Sequence, residues 1–294
     1  MAPGAASLVA VSWPNQLPGD SFDHVATMVE RGRAVAVTVR SIVESWPGDR
    51  APIGLICLPV LALSGSGAGR RLLGLPPSRP LVASELAVNL AAPDDRLRPI
   101  FDVCSELGVH VATSAIEFHP AMPDVLFHTG FIVGPAGLAL RSPKLWARSG
   151  PSITLISALQ DRYVAHFGDD AVLPVVRTPF GTLGMLVETE IDEDRSVETL
   201  ARHLPTIICN PTLRTGEHSS SNEDLRLVDV ARATNAVVIS ACASAEIVDD
   251  NAGGWVRHDF APGTSIWSAE GVALSSATPD DAAVAWTSVP LSVA

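Results

Sequence analysis

Short apolar runs recur along the whole chain, and they limit its possible folds more than any other feature does. Runs rich in Val, Ile and Ala, separated by amphipathic segments, indicate strands that are buried on at least one face. The predicted strands are residues 7–13, 34–39, 53–59, 108–116, 129–135, 172–178, 184–187, 206–211, 236–244, 263–271 and 282–289. That many buried strands, spread over 294 residues, require two sheets with helices covering them.

The segments between these strands include five candidate helices. They are residues 20–33, 84–91, 94–107, 193–204 and 223–234. The fourth has apolar residues at i, i+3, i+4 and i+7, namely Val197, Leu200, Ala201 and Leu204. Acidic residues at its start suit the positive end of the helix dipole. Since no repeat or domain linker is evident, we expect one α/β domain over residues 1–294.

Composition excludes several classes of partner. With 20 basic and 32 acidic residues, the net charge of −12 disfavours binding to nucleic acid or to anionic membrane surfaces. The longest uncharged stretch, residues 51–69, carries Pro59 and several glycines, which favours a buried strand leading into a loop over a membrane span. We expect a cytoplasmic protein, because its first residues lack a basic leader and its four cysteines are widely spaced without a CxxC pair.

Five blocks of sequence resemble, in order, the nitrilase (carbon-nitrogen hydrolase) superfamily. They are residues 55–65, 126–146, 173–191, 231–243 and 263–274. The resemblance implies a four-layer αββα sandwich and self-association as a homodimer or larger oligomer. It implies no cofactor.

Three catalytic positions follow from the resemblance, and only one is kept. The family has a glutamate as general base, a lysine that stabilises the tetrahedral intermediate and a cysteine nucleophile at a strand-to-helix turn. Here Lys144 matches the lysine, Val60 stands at the position of the base, and Glu188 stands at the position of the cysteine. No glutamate occurs from residue 45 to 84 and no cysteine from 105 to 208, so a small misalignment cannot restore the triad.

Two hypotheses account for Glu188. In the first, the carboxylate has moved across the cavity to pair with Lys144, and the pocket serves a ligand-binding, regulatory or assembly role without catalysis. In the second, Glu188 is a general base that activates water against a substrate polarised by Lys144, which would be a non-cysteine hydrolase of a small amide or nitrile. An ion pair with Lys144 lowers the basicity that the second role needs.

Further residues of the matched blocks are candidates to line the pocket. Glu190 fits a second glutamate that follows the nucleophile in the family, His128 takes a position usually held by asparagine, and Trp146 departs from the usual pattern. Glu117 either lines the pocket or forms a surface salt bridge. The expected ligand is a small carboxamide, nitrile or carboxylate. Spacing of the histidines predicts no metal site, and Cys209 is a minor candidate for a displaced nucleophile.

Overall fold

A computed structural model describes ten stretches of the chain. They are residues 4–14, 24–60, 62–63, 87–146, 155–213, 220–244, 246–249, 256–259, 263–277 and 284–290. The described α-helices are α1 (His24–Glu44), α2 (Arg98–Leu107), α3 (Gln160–Phe167), α4 (Asp194–Ala201) and α5 (Ser220–Thr234). The longest of them, α1, has 21 residues, and no described helix combines the length and the apolar character that crossing a membrane requires.

Two large sheets contain most of the strands. The first has the order β15-β1-β3-β4-β5-β6. Its strands are β1 (Ala5–Val11), β3 (Ile53–Cys57), β4 (His110–His119), β5 (Met122–Gly134), β6 (Gly137–Pro143) and β15 (Val284–Pro290). Strands β1, β3 and β4 run parallel to one another, and β5, β6 and β15 are antiparallel to their neighbours.

The second sheet has the order β14-β13-β10-β9-β8-β7, and β2 pairs with β10. Its strands are β2 (Trp13–Pro14), β7 (Val176–Thr178), β8 (Gly181–Met185), β9 (Ile207–Leu213), β10 (Val237–Ser244), β13 (Thr264–Trp267) and β14 (Ala273–Ala277). Strands β11 (Glu246–Asp249) and β12 (Val256–Asp259) form a separate hairpin.

Alternation along the strands divides the apolar core into layers. Leu8 and Cys209 belong to a cluster that both sheets share, whereas their neighbours Val9 and Ile208 belong to clusters on the outer faces. The outer cluster of the first sheet includes residues of α1 and α2, and that of the second includes residues of α4 and α5. The order helix, sheet, sheet, helix follows, and it confirms the predicted α/β sandwich.

One predicted strand is wrong. Residues 34–39 continue α1, so the helix predicted at 20–33 and the strand after it are one element, described from His24 to Glu44. The sequence AVAVTV alternates as a strand does, but Val35 and Val39 also stand four residues apart on one helix face. Both are fully buried, and Val37 between them is 67% exposed, as a helix requires.

The predicted helix at 84–91 is also wrong over its described residues, 87–91. Val88 instead forms an isolated bridge with Glu117 on β4. Several elements were not predicted: α3, β6, β14 and the hairpin of β11 and β12. The predicted strand 263–271 ends at Trp267, because the chain turns there and pairs with β14.

Candidate functional site

Glu188 occupies a strained turn at the end of a central strand. Strand β8 ends at Met185, and Glu188 opens the 3-10 turn Glu188–Asp192 that leads into α4. Its φ of 51° lies in the left-handed region, which costs a non-glycine residue about 1–2 kcal/mol. The side chain of Asn210 holds the turn from β9, because its Nδ2 donates to the carbonyls of Leu186 at 2.8 Å and Glu188 at 3.2 Å. Backbone strain of this kind, supported by neighbouring contacts, is common at functional sites.

Lys144 reaches Glu188 from the opposite sheet. It follows the last residue of β6, and its backbone N–H donates to the carbonyl of His128 at 2.8 Å. The Nζ of Lys144 donates to Oε2 of Glu188 at 2.9 Å. The Lys144 side chain is 6% exposed and that of Glu188 is 24% exposed. A nearly buried ammonium therefore has a carboxylate partner that still meets solvent.

His128 and Ser114 extend the polar chain behind Glu188. Nδ1 of His128 lies 3.5 Å from the same oxygen of Glu188, and its Nε2 lies 2.9 Å from Oγ of Ser114. The order serine, histidine, acid matches that of serine hydrolases. However, Ser114 is fully buried within β4, so a substrate carbonyl has no approach to its hydroxyl in this conformation.

Electrostatics keep Glu188 ionised. Burial favours the neutral acid, but the charges of Lys144 and His128 and their hydrogen bonds outweigh it and hold the pKa of Glu188 well below its usual range. A carboxylate with so low a pKa is a weak base at neutral pH.

Glu190 is fully buried behind this pair. Its Oε2 accepts a hydrogen bond from the backbone N–H of Val187 at 2.9 Å, and its Oε1 accepts one from Leu145 at 2.5 Å. Burial raises the pKa of Glu190 to about 7, against the opposing effects of these N–H groups and of the charge on Lys144.

Val60 lies in an apolar cluster beside the turn. The buried members of the cluster are Val60, Ala87, Ile116 and Val187. Val60 is 1% exposed, and its neighbour in the cluster, Val187, directly precedes Glu188 in the chain. The position at which the resemblance places a general base is thus filled by a packed aliphatic side chain.

Glu117 does not share the face of the sheet on which the Lys144 pair lies. Pairing of β4 with β5 is regular over Val111–Phe118, so Ser114 and Glu117, three residues apart, point to opposite faces. The alternative expectation of a salt bridge agrees with the structure in its partner but not in its location, since Glu117 pairs with Arg141 and is fully buried. Its partners are Nε of Arg141 at 2.5 Å and Oγ1 of Thr129 at 2.6 Å.

Trp146 lies two residues beyond Lys144 and contacts α4. The guanidinium of Arg195 stands 5.6 Å from the centre of the Trp146 ring, a cation–π contact. This contact links the segment after β6 to the helix that follows Glu188. The role of Trp146 in lining the pocket stays a prediction.

All four cysteines, Cys57, Cys104, Cys209 and Cys242, are buried free thiols. Cys209 belongs to the cluster between the sheets, and its neighbour Asn210 is the residue that points to the turn. Burial, with contributions from Cys209, raises the pKa of Cys57 well above its usual value. This environment disfavours Cys209 as a nucleophile. Within the described stretches, no group of three His, Cys, Asp or Glu residues could hold a metal ion.

Several solved structures superpose on this one over almost its whole length. An amidase from Nesterenkonia sp. superposes with a TM-score of 0.69 at 12% identity over 99% of this chain and 92% of its own. Nit3 of Saccharomyces cerevisiae, a member of branch 10 of the nitrilase superfamily, gives 0.67 at 12% identity over 98% and 90%. The chain has the nitrilase fold. A carbon-nitrogen hydrolase from Helicobacter pylori G27 gives 0.68 at 12% identity over 98% and 89%.

No family model matches the sequence, and no curated protein matches it significantly. The nitrilase fold is thus assigned from similarity of structure, at low sequence identity. It confirms the fold that the five sequence blocks implied.

The sequence did not point to two residues of the site. Ser114 and Asn210 are both fully buried polar residues on strands. Ser114 contacts His128, which lies beside Glu188, and Asn210 donates to the carbonyls of the turn that holds Glu188. A polar residue inside an apolar strand is a usable signal, because burying it without a partner is unfavourable. Its partner, however, depends on how the two sheets face each other.

Proposed function

We propose that this chain is a nitrilase-fold protein in which the pocket binds a small ligand, and that it does not hydrolyse carbon–nitrogen bonds by the covalent route. One observation carries the proposal: the acid at the strand-to-helix turn, Glu188, is ion-paired with Lys144 at 2.9 Å. A lysine neutralised by a permanent carboxylate is less able to stabilise a developing oxyanion.

The nucleophile gives the second line of support. In a variant of the Nesterenkonia sp. amidase, the acetamide moiety of fluoroacetamide is covalently added to the active-site cysteine. Here the resemblance places Glu188 at the nucleophile position, and the thiol nearest to it in sequence, Cys209, is buried between the sheets. Loss of both the base and the nucleophile from a unit of this kind lowers rates by several orders of magnitude.

The alternative is a hydrolase that uses Glu188 as general base. The low pKa of Glu188, imposed by Lys144 and His128 against the effect of burial, argues against it, because a base of that strength takes a proton from water poorly.

Ammonia release separates the two functions. Wild-type protein is incubated with acetamide and propionitrile, and Glu188→Gln is assayed beside it. We expect no ammonia above the blank from either protein. Ammonia produced by the wild type and lost in Glu188→Gln would establish the hydrolase instead. Glu198→Gln is the matched control, since Glu198 is exposed on α4.

Binding is measured in the same samples by thermal shift with acetamide, propionitrile and acetate. We expect at least one of them to raise the melting temperature of the wild type and of Glu198→Gln, and not that of Glu188→Gln. Equal shifts in all three proteins would place binding outside this pocket.

Self-association belongs to the same proposal. Leu225 on α5 is 60% exposed, and Leu204, just after α4, is 77% exposed. Leu225 lies on α5 and Leu204 follows the end of α4, the two helices beside the turn, and this apolar surface is where we propose that a second copy packs. Sedimentation of the wild type and of Leu225→Glu tests this, with a lower mass expected for the variant.

A further inference from the structure

A single carboxylate joins the two backbone segments that carry the ion pair. Oε1 of Glu190 accepts from the N–H of Leu145, which follows Lys144. Oε2 accepts from the N–H of Val187, which precedes Glu188. The two oxygens of Glu190 are therefore bonded to residues adjacent to each partner of the pair, one from each sheet.

In each segment the hydrogen bonding between strands stops just before the N–H that Glu190 binds, because the last such bonds are those from Lys144 to His128 and from Leu186 to Cys209. Strand β6 ends at Pro143 and β8 ends at Met185. The N–H groups of Leu145 and Val187 are thus not fixed by strand pairing, and the side chain of Glu190 takes that place. Glu190 itself is fixed by its own N–H, which donates to the carbonyl of Val187 at 3.1 Å. A buried group with all its bonds satisfied rigidifies its surroundings.

We infer that Glu190 is a positioning residue that holds Lys144 against Glu188, and that the state of its carboxyl group controls the geometry of that pair. The inference concerns regulation of the pocket proposed above, and it rests on that pocket but not on the identity of a ligand.

Protonation of Glu190 would weaken this arrangement. An ionised carboxylate offers an acceptor to each N–H, whereas the neutral acid turns one oxygen into a hydroxyl donor that faces another donor. One of the two bonds is then lost. Burial raises the pKa of Glu190 to about 7, so the change falls within the physiological range.

Charged and titratable groups surround Glu190 and the pair that it holds, and they include His128, whose Nδ1 lies 3.5 Å from Oε2 of Glu188. Lys144 is the charge that acts on it, and it favours the ionised form. Glu188 is already engaged by Lys144 at 2.9 Å. From α5, Arg226 donates Nε to the carbonyl of Ile191 at 2.7 Å, and its Nη2 lies 2.9 Å from Asp194 on α4. Arg226 is thus directed to groups other than Glu190.

The direct test observes the Lys144 ammonium by ¹H–¹⁵N NMR from about pH 5 to about pH 9, a range that spans the titration of Glu190. Lys144→Met assigns the signal, because the variant lacks it. In the wild type and in Glu198→Gln, we expect the signal to shift and broaden on acidification, with a midpoint near the pKa of Glu190. In Glu190→Gln, we expect the transition to disappear and the signal to stay broad at every pH.

An unchanged transition in Glu190→Gln would overturn the inference. If that variant does not fold, wild-type protein labelled with ¹³C in its glutamates gives the second measurement. The carboxyl of Glu190 and the ammonium of Lys144 must then titrate with the same midpoint, and different midpoints would refute the coupling. Neither measurement uses ammonia release or an added ligand, so their outcome is separate from that of the proposed function.

Discussion

The pairing of Lys144 with Glu188 makes a quantitative prediction about stability. Glu188→Gln leaves a 6%-exposed ammonium with only an amide oxygen in front of it. Removing one partner of a buried pair typically costs about 3–5 kcal/mol, and the remaining amide acceptor reduces this to about 2–4 kcal/mol. Lys144→Met leaves a carboxylate that is 24% exposed and still near His128, so we expect about 1–2 kcal/mol.

The double variant Lys144→Met/Glu188→Gln contains neither charge. Replacing both partners of a buried pair by groups of similar volume is often close to neutral, so its loss should be about 0–2 kcal/mol. The sum of the two single losses therefore exceeds the loss in the double variant, and the midpoints of these ranges give a coupling energy of about 3–4 kcal/mol in favour of the pair. Urea unfolding of the four proteins at pH 7 gives each free energy of unfolding. Additivity within about 0.5 kcal/mol would refute a significant ion pair.

Acid supplies an internal check on the same four proteins. The pKa of Glu188 is lower in the folded chain than the value of about 4.5 that a glutamate has in an unfolded chain. Its contribution to stability is therefore fully present above about pH 4.5 and is lost as the pH falls toward the folded pKa. Below about pH 4, the coupling measured by the cycle should shrink. A coupling that stays constant would mean that the contact does not depend on charge.

Two further predictions concern parts of the fold outside the pocket. A Cβ added at Gly32 would lie 2.1 Å from the backbone oxygen of Arg96, so Gly32→Ala should cost about 2 kcal/mol or more in urea unfolding, whereas Gly48→Ala, with open space around it, should change stability by less than about 0.5 kcal/mol. Equal effects of the two changes would contradict the close approach of α1 to the chain before α2. Glu117→Gln should destabilise by about 2–4 kcal/mol because it leaves Arg141 with a weaker partner, and an additional Arg141→Met should recover part of the loss. No recovery in the double variant would show that the two side chains act independently.

The layers of the fold were predictable because the buried strands stand out in the sequence as short apolar runs. Neighbouring residues such as Leu8 and Val9 are both buried, one on each face of the sheet, and a run without polar alternation predicts this arrangement. The extent of α1 was not predictable in the same way. Val35 and Val39 fit both a strand and a helix, and the packing of α1 on the first sheet decides between them.

The ion pair at the centre of the site was predictable from the sequence. The resemblance placed Lys144 and Glu188 on opposite walls of one pocket, and a buried ammonium needs a carboxylate partner, which was enough to expect their contact. The face on which Glu117 lies was not predictable, because it depends on the register of β4 and a shift of one residue reverses it. Ser114 and Asn210 were missed for a related reason, since their partners belong to other strands.

The proposed function implies that Val60 and Glu188 depend on each other. A carboxylate at position 60 would enter an apolar cluster next to Val187, close along the chain to the carboxylate of Glu188. Two acids around one lysine repel each other, and no acid leaves Lys144 buried without a partner. Only states with one carboxylate in direct contact with the Lys144 ammonium pair its charge, because the buried Glu190 accepts from backbone N–H groups instead. Val60 with Glu188 is one such state, and the glutamate with a neutral thiol that the resemblance implies is the other. Passing from one state to the other by single substitutions would create an unbalanced pocket, so we expect Val60→Glu alone to destabilise the protein more than Val60→Glu combined with Glu188→Cys.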